Sequence, residues 1–340
     1  MNDHPLDHTI SEFLHRKGGN SHTHLLHLGD KEVFLSSDNN VMMMYADMLN
    51  RRLVLGDPIG DEACSDRALD EFLHRCEKEG IKPVFYQTSK RFGRSCEERG
   101  LHLFQWGEEA IVDLKTFHMN GKAWLKLRSR RNKFERAGYR LDVQKPPHSS
   151  ALLASMKRIS DRWLGGRNDK GFSVGRFSID YANRHMAALL YDAEDNVTAF
   201  ATVVEYQQND HRCLAIDLMR HLPQAPHGTM DMLFVSIFLW GQERGFERCS
   251  LGVAPLVNNS GHFSLKLASK ILSKSYNFAG LREFKNKFQP VWEPKLIATS
   301  GRFTFPYELI LLGLLIHQRT SSAASDQRLQ PESAPTFETS

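Results

Sequence analysis

Runs of apolar residues separated by turn-forming residues predict strands alternating with helices through the first half of the chain. Asp38-Asn39-Asn40 is a turn signal, and Gly-Asp-Pro-Ile-Gly at 56–60 interrupts the predicted sheet. Helices are predicted over 65–79 and 90–99. The apolar face of the first consists of Leu69, Phe72, Leu73 and Cys76. The predicted strands are 31–36, 41–45, 51–55, 83–87, 101–106 and 110–114.

A helix over 121–137 ends this half, with Gly138 as the residue that terminates it. Its predicted core face consists of Trp124, Leu127, Phe134 and Ala137. The second half repeats the alternation. Its predicted helices are 149–164, 229–244 and 260–273, and its predicted strands are 196–206, 212–219, 248–253 and 296–299.

Both halves therefore have an α/β pattern, although they share no clear sequence repeat. We expect two similarly built domains, over residues 1–145 and 146–320. Residues 321–340 are polar and rich in Pro, Ser, Glu and Thr, which predicts a disordered tail.

Positive charge is concentrated in two stretches, although the net charge of the chain is only +4. Residues 115–140 contain nine Lys or Arg and one acid, Glu135, and residues 264–302 contain eight Lys or Arg against Glu283 and Glu293. Such stretches indicate surfaces that face a polyanion, although solvated helix faces also explain many basic runs. The five scattered cysteines form no CxxC pair, which is typical of a reducing cytosol.

The longest apolar run covers only eight residues, 309–316, whereas a helix that crosses a bilayer needs about 20. The start of the chain has no secretory signal pattern. With its aromatic neighbours, the segment 303–316 fits a buried terminal helix or a helix that lies on a membrane surface.

The second half resembles the acetyltransferase-like fold of the general N-acetyltransferase (GNAT) type. In that fold the pyrophosphate of coenzyme A binds backbone amides at a helix N-terminus. The corresponding segment here, 220–228, has two prolines and one glycine and lacks the Q/R-x-x-G-x-G/A loop. We therefore expect the fold with a different acyl donor, and no cofactor.

Several short motifs occur in an order that makes the resemblance more specific. They are GDPIG at 56–60, GFSVGRF at 171–177, DLMR at 217–220, YNF at 276–278, GLREFKNKF at 280–288, Pro290 and WEP at 292–294. Together, over about residues 30–300, they resemble the cytosolic catalytic domain of the phosphatidylglycerol aminoacyltransferases. These are the bacterial lysylphosphatidylglycerol synthases, also called multiple peptide resistance factors.

The resemblance implies tandem acetyltransferase-like domains with mixed, mostly antiparallel sheets. It implies transfer of an aminoacyl group, lysyl in preference to alanyl, from aminoacyl-tRNA to a glycerol hydroxyl of phosphatidylglycerol. The product lowers the negative charge of the membrane and gives resistance to cationic antimicrobial peptides. The family places this domain at the cytoplasmic face of the cell membrane, after a multi-pass membrane domain that this sequence does not contain.

The resemblance also assigns an active-site pair, Asp217 and Arg220, at the end of a predicted strand. Asp217 would hold the α-ammonium of the aminoacyl group or accept a proton, and Arg220 would bind a phosphate or the carbonyl oxygen. The alternative is a structural ion pair. An aminoacyl ester is already activated, so alignment of the two substrates supplies up to ~7–11 kcal/mol and a general base ~10²–10⁴-fold.

Four further residues are candidates for substrate binding. Lys285 and Lys287 would project the same way from an extended segment and bind one phosphate. Asp169 would select a cationic lysyl side chain, and Arg176 would bind phosphate or lie on the surface.

The predicted helix over 121–137 is the candidate tRNA contact. Its residues Lys126, Arg128, Arg130 and Lys133 would face the RNA backbone, or else solvent.

The sequence lacks the motifs of nucleotide-binding P-loops, zinc proteases and serine hydrolases. It has no P-loop, no HExxH and no GxSxG motif, and its sixteen histidines have no acidic or cysteine partners at ligand spacing, so no metal is expected. Two alternatives stay open: aminoacyl transfer from tRNA to a peptide amine, and a non-enzymatic module that binds nucleic acid or an anionic membrane.

Overall fold

The computed structural model describes residues 5–208, 210–255 and 278–318. Its helices are α1 (Pro5–Lys17), α2 (Ser65–Lys78), α3 (Lys90–Glu98), α4 (Leu125–Arg136), α5 (Ser150–Leu164), α6 (Ile179–Ala182), α7 (Thr229–Glu243), α8 (Phe278–Asn286) and α9 (Phe305–His317). Short 3₁₀ turns occupy Thr23–Leu28 and Glu62–Cys64. The strands are β1 (Glu32–Leu35), β2 (Val41–Met48), β3 (Arg51–Leu55), β4 (Ile59–Gly60), β5 (Lys82–Thr88), β6 (His102–Asp113), β7 (Arg140–Gln144), β8 (Met186–Tyr191), β9 (Val197–Gln208), β10 (His211–His221), β11 (Arg248–Pro255) and β12 (Val291–Thr299).

All of these strands belong to one sheet, in the order β1-β2-β3-β5-β12-β6-β11-β10-β9-β8-β7, with β4 paired to β2. Within the described part of the chain, only β3–β5 and β10–β11 are parallel pairs. The sheet is therefore mixed and mostly antiparallel, as predicted.

The two halves of the chain meet in the middle of the sheet, where β6 pairs antiparallel with β11. Strand β12 comes from the C-terminal part of the chain but lies between β5 and β6 of the first half. The division into residues 1–145 and 146–320 stays a prediction.

Helices cover both faces of each half of the sheet. In the first half, α2 and α3 pack on one face, and α9 and the turn Thr23–Leu28 pack on the other. In the second half, α4 and α7 pack on one face and α5 on the other. Helix α2 forms as predicted because Leu69, Phe72 and Cys76 fall on its buried side.

Several predicted elements differ from the observed ones. The strands predicted at 101–106 and 110–114 form one strand, β6, which remains continuous although its register shifts against both neighbours. Strands β7 and β8 were absent from the prediction. Ala137, predicted to face the core, is exposed because α4 ends at Arg136. The helix predicted at 260–273, the motif residues Tyr276 and Asn277, and the predicted tail lie outside the described residues.

Candidate active site

A wedge between two central strands forms a recess at the junction of the two halves. The parallel pairing of β10 with β11 extends only to Ala215 and Ser250, and the later residues of the two strands do not pair with each other. Each strand also shifts register against its other neighbour there, at 216–219 in β10 and 250–253 in β11. Such irregularities bend a strand away from its partner. The wedge opens into a cavity of about 160 Å³, here called the central cavity.

Both halves of the sheet and helix α9 line the central cavity. Much of its wall is apolar, from Trp106, Ile216, Leu309, Leu312 and Ile316. Its polar groups include Asp217, Glu109, His22, His24, Gln87 and Ser250. Apolar walls with a few placed polar groups are typical of a site for a small organic group.

Asp217 lies in the wall of the central cavity, as the sequence predicts. The hydroxyl of Tyr181 donates a hydrogen bond of 2.5 Å to its Oδ2, and Nε2 of His24 lies 3.4 Å from its Oδ1. Burial on its own would raise the pKa of Asp217, but attraction to His24 and the hydrogen bond from Tyr181 lower it, to about 2. The carboxyl group is therefore ionised at neutral pH.

The loop 169–177 packs directly against this carboxylate. A Cβ atom at Gly175 would lie 2.1 Å from Oδ2 of Asp217, so a residue with a side chain does not fit there without displacing the carboxylate. Phe172 of the same loop is buried with φ at 57°, and its amide donates to Oδ2 of Asp30 at 2.8 Å. The predicted pocket motif GFSVGRF therefore forms the backing of Asp217.

Arg220 and Asp169 form a salt bridge with each other. The Arg220 guanidinium donates to Oδ1 of Asp169 at 2.6 Å and lies 4.0 Å from the ring centroid of Trp163. The other carboxylate oxygen of Asp169 accepts a hydrogen bond of 3.0 Å from the amide of Phe177. Both residues thus hold the ends of the 169–177 loop. Neither is among the residues that line the central cavity, so their predicted contact with substrate stays a prediction.

A second recess, here called the basic cavity, has a volume of about 790 Å³ and shares His24 with the central cavity. Its cationic lining consists of Arg16, Lys17, Arg184 and Arg212, with His15, His27 and His185, and its acidic groups are Glu205 and Asp210. His185 stacks edge-on against His24 at 5.9 Å and lies 5.6 Å from His27. Burial and the nearby His24 and His27 lower the pKa of His185 to about 3, so it is neutral.

Glu109 is a second buried carboxylate in the central cavity, and its partner is a lysine. Lys295 Nζ lies 2.8 Å from Oε2 of Glu109, and the hydroxyl of Ser250 donates to Oε1. Burial alone would raise the pKa of Glu109, but Lys295 and His22 lower it far below its usual range. Nε2 of His22 donates a 2.7 Å hydrogen bond to Oε1 of Gln87, and burial lowers the pKa of His22 to about 4.

The extended conformation predicted for Lys285 and Lys287 is wrong, because Lys285 lies in the last turn of helix α8 and Lys287 follows the end of that helix. The two amines have different partners, and whether either binds a substrate phosphate stays a prediction. Lys285 is buried and donates to the carbonyls of Gly252 and Val253, which line the central cavity. Burial lowers the pKa of Lys285 to about 7, although Glu109 raises it. Lys287 is exposed and donates to Oδ1 of Asp231 at 3.0 Å.

Arg176, at the far side of the 169–177 loop, is half-buried. It donates to the carbonyl of Leu28 at 3.3 Å, beside the buried ion pair of Lys31 and Asp30. Burial lowers the pKa of Lys31, which Asp30 partly offsets. Whether Arg176 binds phosphate stays a prediction.

The four candidate tRNA contacts on α4 differ in what they touch. Lys126 and Lys133 are exposed. Arg128 donates to the backbone carbonyls of Met119 and Gly121. Arg130 forms an ion pair with Asp231, the carboxylate that also binds Lys287, and lies 3.0 Å from Nε2 of His227. Arg130 therefore ties α4 to the start of α7, which leaves the two lysines as the more accessible pair.

Segment 303–316, predicted to be either a buried terminal helix or a helix on a membrane surface, contains helix α9, which has one buried face and one exposed apolar face. One face, with Leu309 and Leu312, packs on the sheet and on the central cavity. The other face leaves an apolar stripe exposed, which we call the α9 stripe: Phe303 (96% exposed), Tyr307 (38%), Ile310 (48%) and Leu314 (58%). Among the described residues, no helix has both the length and the apolarity that crossing a membrane requires.

Sequence reasoning missed most of the groups around Asp217 and the whole Glu109 centre. For Glu109 a signal existed, because two adjacent acids interrupt an otherwise apolar strand. No local signal marks His24, because its partner Asp217 is nearly 200 residues away in the chain. In the described ranges, no group of three His, Cys, Asp or Glu side chains is arranged to hold a metal ion.

Comparison with known proteins gives a consistent result. Residues 11–299 match the family described as "Phosphatidylglycerol lysyltransferase, C-terminal". The phosphatidylglycerol lysyltransferase of Bacillus subtilis (strain 168) is 38% identical over 315 residues, which are 90% of this chain and 36% of that protein. The phosphatidylglycerol lysyltransferase of Staphylococcus haemolyticus (strain JCSC1435) is 35% identical over 309 residues, 89% of this chain and 36% of that protein. The chain thus spans about a third of the length of these relatives.

Solved structures agree. The structure of L-PGS from Bacillus licheniformis superposes with a TM-score of 0.85 and 38% identity, and covers 92% of this chain and 97% of that one. A lysylphosphatidylglycerol synthetase C-terminal domain from Agrobacterium fabrum has a TM-score of 0.82 and 31% identity, over 91% and 96% of the two chains. FemX, at 9% identity and a TM-score of 0.53, over 92% and 99% of the two chains, shares the fold alone.

These likenesses and the mixed, mostly antiparallel sheet confirm the predicted fold class, an α/β protein of tandem acetyltransferase-like type. They also confirm the family that the motifs indicated. The chain belongs to the phosphatidylglycerol lysyltransferase C-terminal family.

Proposed function

We propose that this chain transfers a lysyl group from lysyl-tRNA to a glycerol hydroxyl of phosphatidylglycerol. Its relatives carry the name of that activity. The observation that carries the proposal is that an ionised, buried Asp217 lies where an apolar cavity and a basic cavity meet at His24. The reaction joins one apolar and one polyanionic substrate, and the two cavities match that difference.

The lipid enters, in this proposal, from the side of α9. The inner face of α9 lines the central cavity, while the α9 stripe offers exposed apolar side chains to a bilayer. An amphipathic element that lies in the membrane interface would bring the lipid headgroup next to the cavity without crossing the bilayer. This proposal places the chain on the cytoplasmic face of the cell membrane.

The aminoacyl-tRNA enters from the side of the basic cavity. Four Lys or Arg side chains line it against two carboxylates, so it attracts a phosphate backbone. Lys126 and Lys133 on α4 add an exposed basic surface for the body of the RNA. Each phosphate that they neutralise would steepen the dependence of binding on salt by ~0.7–0.9 log units.

The chemistry that remains for the protein is alignment and proton transfer. The aminoacyl ester is already activated, so a carbonyl carbon held near the lipid hydroxyl needs no cofactor. Asp217 holds a cationic amine or orients a proton-carrying group, and Arg220 acts through the 169–177 loop that it fastens. Asp169 is engaged by Arg220, so the choice of lysine over alanine rests on the relatives and not on that residue.

Incubation of the chain with radiolabelled lysyl-tRNA and vesicles that contain phosphatidylglycerol tests the reaction. We expect labelled lysyl-phosphatidylglycerol from the wild type and none from Asp217→Ala, with tRNA affinity retained by both. A peptide with a free amine in place of the vesicles separates the alternative acceptor. Label on the peptide alone, or tRNA and vesicle binding with no transfer to either acceptor, would contradict the proposal.

Vesicle flotation tests the membrane face separately. Leu314→Ser together with Phe303→Ser removes apolar side chains from the α9 stripe and should reduce binding to anionic vesicles several-fold. Val291→Ser is the matched control, since Val291 is 60% exposed at the start of β12, the end of that strand opposite to Ile297, which packs in the same core cluster as α9. Equal loss of binding in both proteins would exclude the α9 stripe as the membrane contact.

A further inference from the structure

Beside Asp217, His24 has the position of a proton-transfer residue. His24 is 6% exposed, and its Nε2 lies 3.4 Å from Oδ1 of Asp217. Within the described residues, neither ring nitrogen of His24 has a hydrogen-bond partner of good geometry. A buried polar atom without a partner is costly, and native structures keep few of them outside functional sites.

The surroundings of His24 fix where its ring lies. His24 is part of the 3₁₀ turn Thr23–Leu28, which ends at Gly29 in a left-handed conformation. His185 packs edge-on against the ring. On the far side, Asp217 is itself held by Tyr181 and backed by Gly175. The imidazole is therefore presented at a fixed place in the wall that separates the two cavities.

Asp217 also decides which nitrogen carries the proton. A carboxylate favours a donor opposite it, so the neutral ring of His24 has its hydrogen on Nε2 and a lone pair on Nδ1. In serine hydrolases an aspartate holds a histidine in the same way, so that the other nitrogen acts as the base. Asp217 is a poor base itself, because its pKa of about 2 is far below that of an alcohol.

We infer that His24 is the general base of the transfer and that Asp217 is the residue that positions it; this inference rests on the proposed function. Nδ1 of His24 takes the proton of the glycerol hydroxyl as that oxygen attacks the carbonyl carbon of the aminoacyl ester. The bond from this carbon to the ribose oxygen breaks. The same proton passes from His24 to the departing ribose oxygen, so the ring ends neutral and no further reactant is needed.

Other titratable groups face this site from every element around it. They are His22 on the same segment, His27 one turn later, Tyr181 on α6, His185 before β8, and Lys170 and Glu109 in the cavity wall. Lys285 is the other candidate base. Its amine already donates to two backbone carbonyls of β11, which is the role of a structural group.

The test compares His24→Ala with wild type in the lysyl-tRNA and phosphatidylglycerol assay. We expect kcat to fall ~10²–10⁴-fold while KM for both substrates stays within about twofold, because the base acts in the transition state. Added imidazole fits the space left by the side chain and should restore part of kcat in a saturable manner. His24→Gln, which keeps a donor for Asp217 but is no base, should show the same loss without rescue.

The matched control is His148→Ala. His148 is also a buried histidine, but its Nε2 donates to the carbonyl of His185 and it lines neither cavity. Its variant should keep kcat and show no imidazole effect. If His24→Ala does not fold, His24→Gln and its thermal melting curve decide the same question.

Failure of the inference and failure of the proposed function give different results. If the wild type makes no lysyl-phosphatidylglycerol, the proposed function fails. If the wild type is active and His24→Ala or His24→Gln keeps more than about a tenth of kcat, His24 is not the base. Loss of activity in a folded His24→Ala without rescue by imidazole also overturns the inference, since it assigns the residue a purely structural role.

Discussion

The central cavity holds two buried carboxylates that the protein stabilises in opposite ways. Asp217 is surrounded by a tyrosine hydroxyl and histidine rings, groups that can be neutral and can exchange protons. Glu109 is paired with the ammonium group of Lys295 and with a serine hydroxyl. Both carboxyl groups have lowered pKa values, but Glu109 is paired with a lysine, whereas Asp217 faces a histidine and a tyrosine.

This difference indicates a catalytic role for Asp217 and a structural role for Glu109. A buried carboxylate with a permanent cation is neutral as a pair, and it joins β6 to β12 across the middle of the sheet. A carboxylate held by a tyrosine hydroxyl and a histidine keeps its negative charge available for a proton or an ammonium group of a substrate. We therefore expect changes at Asp217 to reduce activity and changes at Glu109 to reduce stability.

The largest effect should come from Asp217→Asn. The amide still accepts the hydrogen bond from Tyr181, so the fold should persist, but the charge that orients His24 is lost. We expect kcat for lysyl transfer to fall about 10³-fold, in the range found for a misplaced general base, with thermal stability close to wild type. A variant with near-normal kcat would place the chemistry elsewhere.

Glu109→Gln should lose stability, in contrast to Asp217→Asn, which should lose activity. Removing one member of a buried ion pair costs about 3–5 kcal/mol, because Lys295 is left charged and unpaired. Urea unfolding measures this loss of free energy. Glu109→Leu combined with Lys295→Met removes both charges and should recover most of it. If the double variant is as unstable as Glu109→Gln, the loss of stability does not come from an unpaired charge on Lys295.

Gly175→Ala tests the contact between the 169–177 loop and Asp217, and its effect on activity should be smaller than that of Asp217→Asn. The added methyl group overlaps the carboxylate, so either Asp217 or the 169–177 loop must shift. A displacement of this kind costs about 10²-fold in kcat when a reacting group moves by ~1 Å. Gly166→Ala is the control: it has open space around its Cβ position but a φ of 82°, so it should lose some stability to backbone strain and keep its activity.

The smallest effect is the dependence of protein stability on pH. It should involve a histidine near Glu109 and another near Asp217. Burial lowers the pKa of His22, beside Glu109, to about 4 and that of His185, near Asp217, to about 3, against 6.5 in the unfolded chain. Between pH 6.5 and 4 the unfolded state binds more protons at these two residues, so stability falls as the pH falls. His22→Gln should make the free energy of unfolding less dependent on pH in that window. His74→Gln, on the exposed face of α2, should leave the dependence unchanged.

The sequence was sufficient for much of the fold, because most strands and helices follow from local apolar periodicity. It also located Asp217, since a family motif at a strand end is a local signal. The partners of Asp217 were not predictable, because Tyr181 and His24 reach it from distant segments. Lys285 and Lys287 were misread because two lysines two residues apart fit an extended strand as well as a helix, and only tertiary packing decides between them.

The place of β12 in the sheet has a consequence for biosynthesis. Domains commonly fold as they leave the ribosome, starting from the N-terminal side. Here β5 and β6 have no direct contact as strands until residues 291–299 have been made and inserted between them. The first half of this chain would therefore expose two open strand edges until β12 has been made, a period in which a chaperone could protect it from aggregation.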